Sequence, residues 1–73
     1  MLSAARHIEP GRAGVLILRV WVEGSGDDQQ LRIRMVGRPD LGQDTQDTAA
    51  ASTIEATLAY VREWLELFAS SAL

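Results

Sequence analysis

The sequence predicts a two-layer α+β domain: an antiparallel β-hairpin, extended by an optional short third strand, is covered by one long C-terminal helix (ββ(β)α). Residues 13–23 and 29–37 alternate in side-chain character with the period of two that strands require, and a glycine-rich turn separates them. Residues 52–70 instead repeat apolar side chains at steps of four and three, which is the period of a helix. A chain of 73 residues holds one domain.

The first strand follows a lead-in, residues 1–12, in which Pro10 and Gly11 break regular structure; we expect this lead-in to be flexible and the domain to span residues 13–73. The even positions of residues 13–23 are all apolar, whereas the odd positions are mixed. Period two sends the two sets to opposite faces, so the even set is predicted to face the core. Its members are Leu16, Leu18, Val20 and Val22.

The second strand alternates Leu31, Ile33 and Met35 with more polar residues. Only one register places both apolar sets on one face. Its predicted pairs are Val22–Leu31, Val20–Ile33 and Leu18–Met35, with Trp21–Arg32 and Arg19–Arg34 on the other face. Opposed arginines repel, so we expect Glu23 or an acidic partner to neutralise them.

Residues 38–51 connect the hairpin to the helix, and Pro39 and Gly42 predict a loop at the start of this segment. A loop of this length without structure of its own is uncommon in a compact domain. A short third strand around Thr45 to Ala49 would shorten it.

The helix is predicted to begin near Thr53, because Ser52 and Glu55 have the spacing of a capping box. One apolar stripe is predicted to cover the hairpin. It consists of Ile54, Leu58, Val61, Leu65 and Phe68.

A second apolar set on the helix, Tyr60, Trp64 and Leu67, has no partner assigned in the chain. It rests on the chain's own loop or tail, forms a functional groove, or contacts another subunit. We prefer the subunit, because so small a core is marginal and the sequence has no Cys and one His with which to build a disulfide or metal site. Ile17 and Trp21, on the outer sheet face, complete the predicted interface.

The net charge is −3, and all seven basic residues are Arg, which indicates a coding sequence of high GC content. The first residues lack the apolar core of a signal peptide, and no run approaches the length of a membrane span. We therefore expect a cytoplasmic protein without membrane contacts.

The layout RVWVE, LRIRMV, TIEATLAYVREWLELF resembles the short bacterial strand-strand-(strand)-helix modules, many of which have no assigned function. This resemblance implies the fold and nothing about chemistry.

No catalytic, cofactor or metal site is predicted, because the sequence offers no nucleophile with a base beside it. The leading hypothesis is a homo-oligomeric interaction or adaptor module that is not an enzyme and binds itself, with another protein as a further partner. The alternative is nucleic-acid binding by the sheet face that carries Arg19, Trp21, Arg32 and Arg34. The acidity of the chain and the single aromatic on that face argue against this alternative.

Overall fold

The structure is a computed structural model that describes residues 12–72, so the predicted lead-in lies, apart from Arg12, outside the described residues. Within these residues, three antiparallel strands form one open sheet in the order β1-β2-β3, and one helix follows them. The predicted α+β fold is confirmed. The elements are β1 (Val15–Glu23), a 3₁₀ turn (Gly26–Asp28), β2 (Gln30–Arg38), β3 (Asp47–Ala51) and α1 (Ile54–Ala72).

The register of the hairpin is the predicted one. β1 and β2 pair without interruption from Val15–Arg38 to Glu23–Gln30. The turn between them needs glycine, because Gly24 and Gly26 have φ of 96° and 62°. The alternation of apolar residues together with the position of the glycine turn was therefore sufficient to predict the pairing.

The third strand is confirmed but lies two residues later than predicted. It pairs antiparallel with β2 from Gly37–Asp47 to Ile33–Ala51. Three of its five residues are alanine, which has poor strand propensity. The backbone edge of β2 and the helix above it favour the strand here, where small side chains let the helix approach.

Thr53, and not Ser52, is the residue that caps the helix. Its Oγ1 accepts a hydrogen bond from the Ala56 N–H at 3.1 Å, and its carbonyl oxygen accepts one from the Thr57 N–H at 3.2 Å. The predicted start of the helix was thus nearly right, whereas the predicted capping box was wrong. With Thr53 at the cap, the third helical position is Ala56, so Glu55 is out of place for the reciprocal bond.

The core is narrow and lies between β2 and the helix. Ile33 and Met35 are 4% and 1% exposed. From the helix, Thr57 is buried above them and satisfies its hydroxyl by donating to the Thr53 carbonyl oxygen at 2.8 Å. The helix therefore lies over β2 and β3 and does not cover the part of β1 that is near the hairpin turn.

The predicted core stripe of the helix was wrong for three of its five residues. Val61 and Phe68 are half-buried, but Ile54, Leu58 and Leu65 are 63%, 62% and 54% exposed. The helix is rotated about its axis relative to the prediction, so that this stripe overhangs β1.

Two glycines explain the rotation. A Cβ on Gly37 would collide with the indole of Trp64, and a Cβ on Gly14 would lie 3.0 Å from Phe68 Cε1. The two rings stack in parallel with centroids 5.8 Å apart, and the Arg12 guanidinium lies 4.9 Å from the Phe68 centroid. Large aromatic rings above glycine gaps bury more surface than the predicted leucines would, so Trp64 faces the sheet.

Candidate interaction surface

An apolar groove runs between the uncovered strand β1 and the overhanging side of the helix. Its volume is about 170 Å³. The groove is open, so its lining is in contact with water. It is lined by Val20, Leu31, Ile33, Ile54, Thr57 and Leu58.

The groove is the centre of a larger exposed apolar patch. The inner face of β1 loses its cover towards the hairpin turn, where Leu18, Val20 and Val22 are between 43% and 58% exposed. Leu65 lies seven residues after Leu58 and so continues the same side of the helix. These side chains together form the apolar patch, which comprises Leu18, Val20, Val22, Ile54, Leu58 and Leu65.

The backbone edge of β1 borders the apolar patch. β1 is a terminal strand of the sheet, so one side of its backbone has no strand partner within the described residues. It is nine residues long, contains no proline and pairs with β2 without a bulge. These are the features that favour pairing with another strand, since protected edges carry bulges, prolines or many charges.

The opposite side of the helix lies above β3 and is less apolar. A pocket of about 260 Å³ there is lined by Tyr60, Trp64 and Leu67 together with two acids, Asp47 and Glu63. Tyr60 and Trp64 are half-buried, whereas Leu67 is exposed. The prediction that these three residues contact another subunit stays a prediction, although Trp64 already has a partner in Gly37.

The outer sheet face points away from the helix and carries four arginines among apolar and polar side chains. Pairing places on it Val15, Ile17, Arg19, Trp21 and Glu23 of β1, Gln30, Arg32, Arg34, Val36 and Arg38 of β2, and Thr48 and Ala50 of β3. The predicted neighbours Trp21–Arg32 and Arg19–Arg34 are directly opposed. The predicted basic face is thus assembled by the fold.

The carboxylate of Glu23 holds two neighbouring side chains of the outer sheet face in place. Glu23 accepts hydrogen bonds from Trp21 Nε1–H and Arg32 Nε–H, each at 3.1 Å. The indole N–H bond, followed by the bond and charge of the guanidinium, lowers the pKa of Glu23 below its ordinary value. Trp21 is also approached by Arg19, whose guanidinium carbon lies 5.4 Å from the ring centroid.

The pair Arg19–Arg34 is not neutralised by Glu23, contrary to one of the two expectations from the sequence. Both side chains are exposed, and the salt bridges among the described residues are Glu23–Arg32 and Arg62–Glu66. The reason is distance along the strand: Glu23 and Arg32 lie at the turn end of the hairpin, whereas Arg19 and Arg34 lie at its middle.

The residues that line the apolar patch were not predicted as an interaction surface. Ile17 and Trp21 lie on the outer sheet face, and the other predicted contacts lie on the β3 side of the helix. The missed signal was Gly37, which shares the inner face with Ile33 and Met35 and leaves a gap that a large ring fills. Placing Trp64 there would have turned Leu58 outward.

Within residues 12–72, no cluster of three or more His, Cys, Asp or Glu side chains is placed to hold a metal ion. No helix in this part of the chain is both long and apolar enough to cross a bilayer. No protein-family model, curated protein or solved structure matches the chain. The fold is a strand-strand-strand-helix module.

Proposed function

We propose that the protein is a homo-oligomeric protein-interaction module without catalytic activity, and that its apolar patch binds a second copy of the chain. The observation that carries this proposal is the groove between β1 and the helix. It is apolar on both walls and exposed on a chain too small to leave such surface unused.

The size of the patch supports a stable partner. Its six side chains together expose the equivalent of about three whole aliphatic side chains, whose burial is worth about 5–10 kcal/mol. That is comparable to the whole stability expected for a small domain. A two-fold arrangement buries the patch of both chains at once, which offsets the entropy lost on association.

Sequence content supports the absence of catalysis. The chain has no Cys, and its single His stands at position 7, before the first strand. A chain without Cys also suits a reducing compartment, and we place the protein in the cytoplasm.

The test is sedimentation velocity or light scattering of the full chain over about 1–200 µM, a range that spans moderate to weak dimer affinities. We expect a dimer, and we expect Leu58→Glu to raise its Kd at least about 30-fold because the variant places a charge in the contact between the two apolar patches. The matched control is Ala59→Glu, which adds the same charge one residue later on the exposed outer side of the helix. It should leave both the dimer and the helical circular dichroism unchanged.

Two results would overturn the proposal. One is a wild-type chain that remains monomeric at the highest concentration. The other is a dimer that both glutamate variants weaken equally, since the effect would then come from charge on the helix rather than from the patch.

A second candidate function is nucleic-acid binding by the outer sheet face. It is favoured by Arg19 and Arg34, which lie outside the Glu23 ion pair, and by the position of Arg19 over the ring of Trp21. The test is a fluorescence-anisotropy titration of a labelled single-stranded oligonucleotide at low and moderate salt. Binding that weakens steeply with salt and is lost in Arg34→Gln supports it, and no binding at low salt excludes it.

A further inference from the structure

We infer that the second copy adds to the β1 edge: the β1 strands of two chains pair antiparallel about a two-fold axis at Val20, which gives a six-stranded sheet with both helices on one face. This inference rests on the proposed function and specifies how the apolar patch is covered. Backbone hydrogen bonds across the seam supply directionality, and the two patches meet above it.

The β1 edge is favoured over the β3 edge by length and by charge. β3 has five residues against nine in β1. Asp47 and Glu63 line the pocket beside β3, so two copies joined there would gather four carboxylates at the seam. The inner face of β1 carries no charge, because its exposed residues are Leu18, Val20 and Val22.

Edge pairing is also favoured over stacking the two grooves face to face. The side of the helix that points away from the sheet carries Glu55, Arg62 and Glu66, all exposed, with Arg62 and Glu66 in an ion pair at 3.9 Å. Face-to-face stacking would press this strip against the apolar inner face of the other copy and bury its charges. Edge pairing leaves the strip in water.

The register follows from side-chain parity. Directly opposed residues of an antiparallel pair point to the same face, so each inner residue of β1 must oppose an inner residue of its copy. An axis at Val20 sets the two Val20 side chains together and opposes Leu18 to the partner's Val22. On the outer sheet face it brings Arg19 against the partner's Trp21, the same type of contact that the two residues already make within one chain.

The neighbouring axes are less favourable. An axis at Arg19 would align all of β1 but would set four arginines in one row, since Arg34 already opposes Arg19 in each chain. An axis at Leu18 would place the exposed Val22 opposite Gly14 of the second copy, which lies before β1. An axis at Trp21 would place the exposed Leu18 opposite Gly24 of the second copy, which lies in the turn. The Val20 axis covers all three exposed inner residues of β1 without forming that row of arginines, and it joins the two grooves because Val20 lines each of them.

A single-cysteine scan of the full chain tests this inference cleanly, because the sequence has no Cys of its own. The variants carry Cys at Leu18, Arg19, Val20, Trp21 or, on the β3 edge, Ala49. Opposed strand residues have Cα atoms about 4.5–5.5 Å apart, within the range that a disulfide spans. We expect Val20→Cys to form the disulfide-linked dimer at least about tenfold faster than every other variant under mild oxidation, and we expect urea to abolish this advantage.

The outcomes separate the inference from the proposed function. A wild-type dimer with fastest cross-linking at Leu18, Arg19 or Trp21 overturns the register, and fastest cross-linking at Ala49 overturns the choice of edge, while self-association stands in both cases. A dimer that Leu58→Glu dissociates but in which no variant cross-links quickly overturns edge pairing altogether. A wild-type chain that is monomeric in sedimentation overturns the proposed function itself.

Discussion

Replacing Trp64 with alanine should destabilise the fold of the single chain, because its indole fills the gap above Gly37 and stacks on Phe68. Truncating a fully buried Trp costs about 3–5 kcal/mol, and roughly half of that applies to a half-buried one. The lost ring stacking adds about 0.5–1.5 kcal/mol. We therefore expect the free energy of unfolding to fall by about 2–4 kcal/mol. That is a large share of the ~4–11 kcal/mol of stability expected for a domain of 73 residues.

The assay is urea unfolding followed by circular dichroism, with Leu67→Ala as the matched control. Leu67 is a large apolar residue three positions later in the same helix, but it is 64% exposed, so its truncation should cost less than about 1 kcal/mol. Both variants are compared with the wild type at two protein concentrations, because dimerisation makes apparent stability depend on concentration. Equal losses in the two variants, or a loss for Trp64→Ala that vanishes on dilution, would refute the assignment of Trp64 to the core of one chain.

Three further predictions concern the elements that place the helix and the outer sheet face. Gly37→Ala should lower the free energy of unfolding, measured in urea, by about 1–3 kcal/mol, because the new Cβ would collide with the indole of Trp64. Thr53→Ala removes the side chain that caps the helix, so it should lower the free energy of unfolding by about 0.5–2 kcal/mol in thermal unfolding. Thr53→Ser keeps a capping hydroxyl and should restore this stability. NMR titration should place the pKa of Glu23 below its ordinary value, owing to Trp21 Nε1–H first and Arg32 second, and Arg32→Gln should raise it. Since the pKa is lower in the folded chain, this carboxylate stabilises the fold above its unfolded pKa, and the contribution disappears as pH falls through the folded pKa.

The hairpin could be predicted in detail because strand geometry leaves few choices. With period two, a slip by one residue would move one apolar set to the opposite face, and the turn between the strands selects among the registers that differ by two residues. The predicted pairs, from Val22–Leu31 to Leu18–Met35, therefore match the structure. The third strand was harder to place, because the propensities of Asp47 to Ala51 oppose it and the backbone of β2 decides its position.

The rotation of the helix could not be read from its own sequence. Apolar side chains cover more than half of its circumference, so periodicity defines a broad apolar surface and does not say which part faces the sheet. The decision depends on the shape of the opposite layer. Gly14 and Gly37 leave gaps that suit Phe68 and Trp64, whereas Leu58 and Leu65 have no such gap above β1.

The same rotation moves the expected subunit contact to the other side of the helix. Because Trp64 fills a gap inside its own chain, it supplies less free apolar surface for a partner. The helix surface that is exposed instead is that of Ile54, Leu58 and Leu65. Among the described residues it lies beside β1, whose outer backbone edge has no strand partner and whose inner face is exposed towards the hairpin turn. A helix with unused apolar surface alone would be ambiguous, but here it adjoins an unprotected strand edge. A second copy of the chain would cover the apolar helix surface and pair with the backbone edge of β1 at the same interface, which is why we propose self-association through β1.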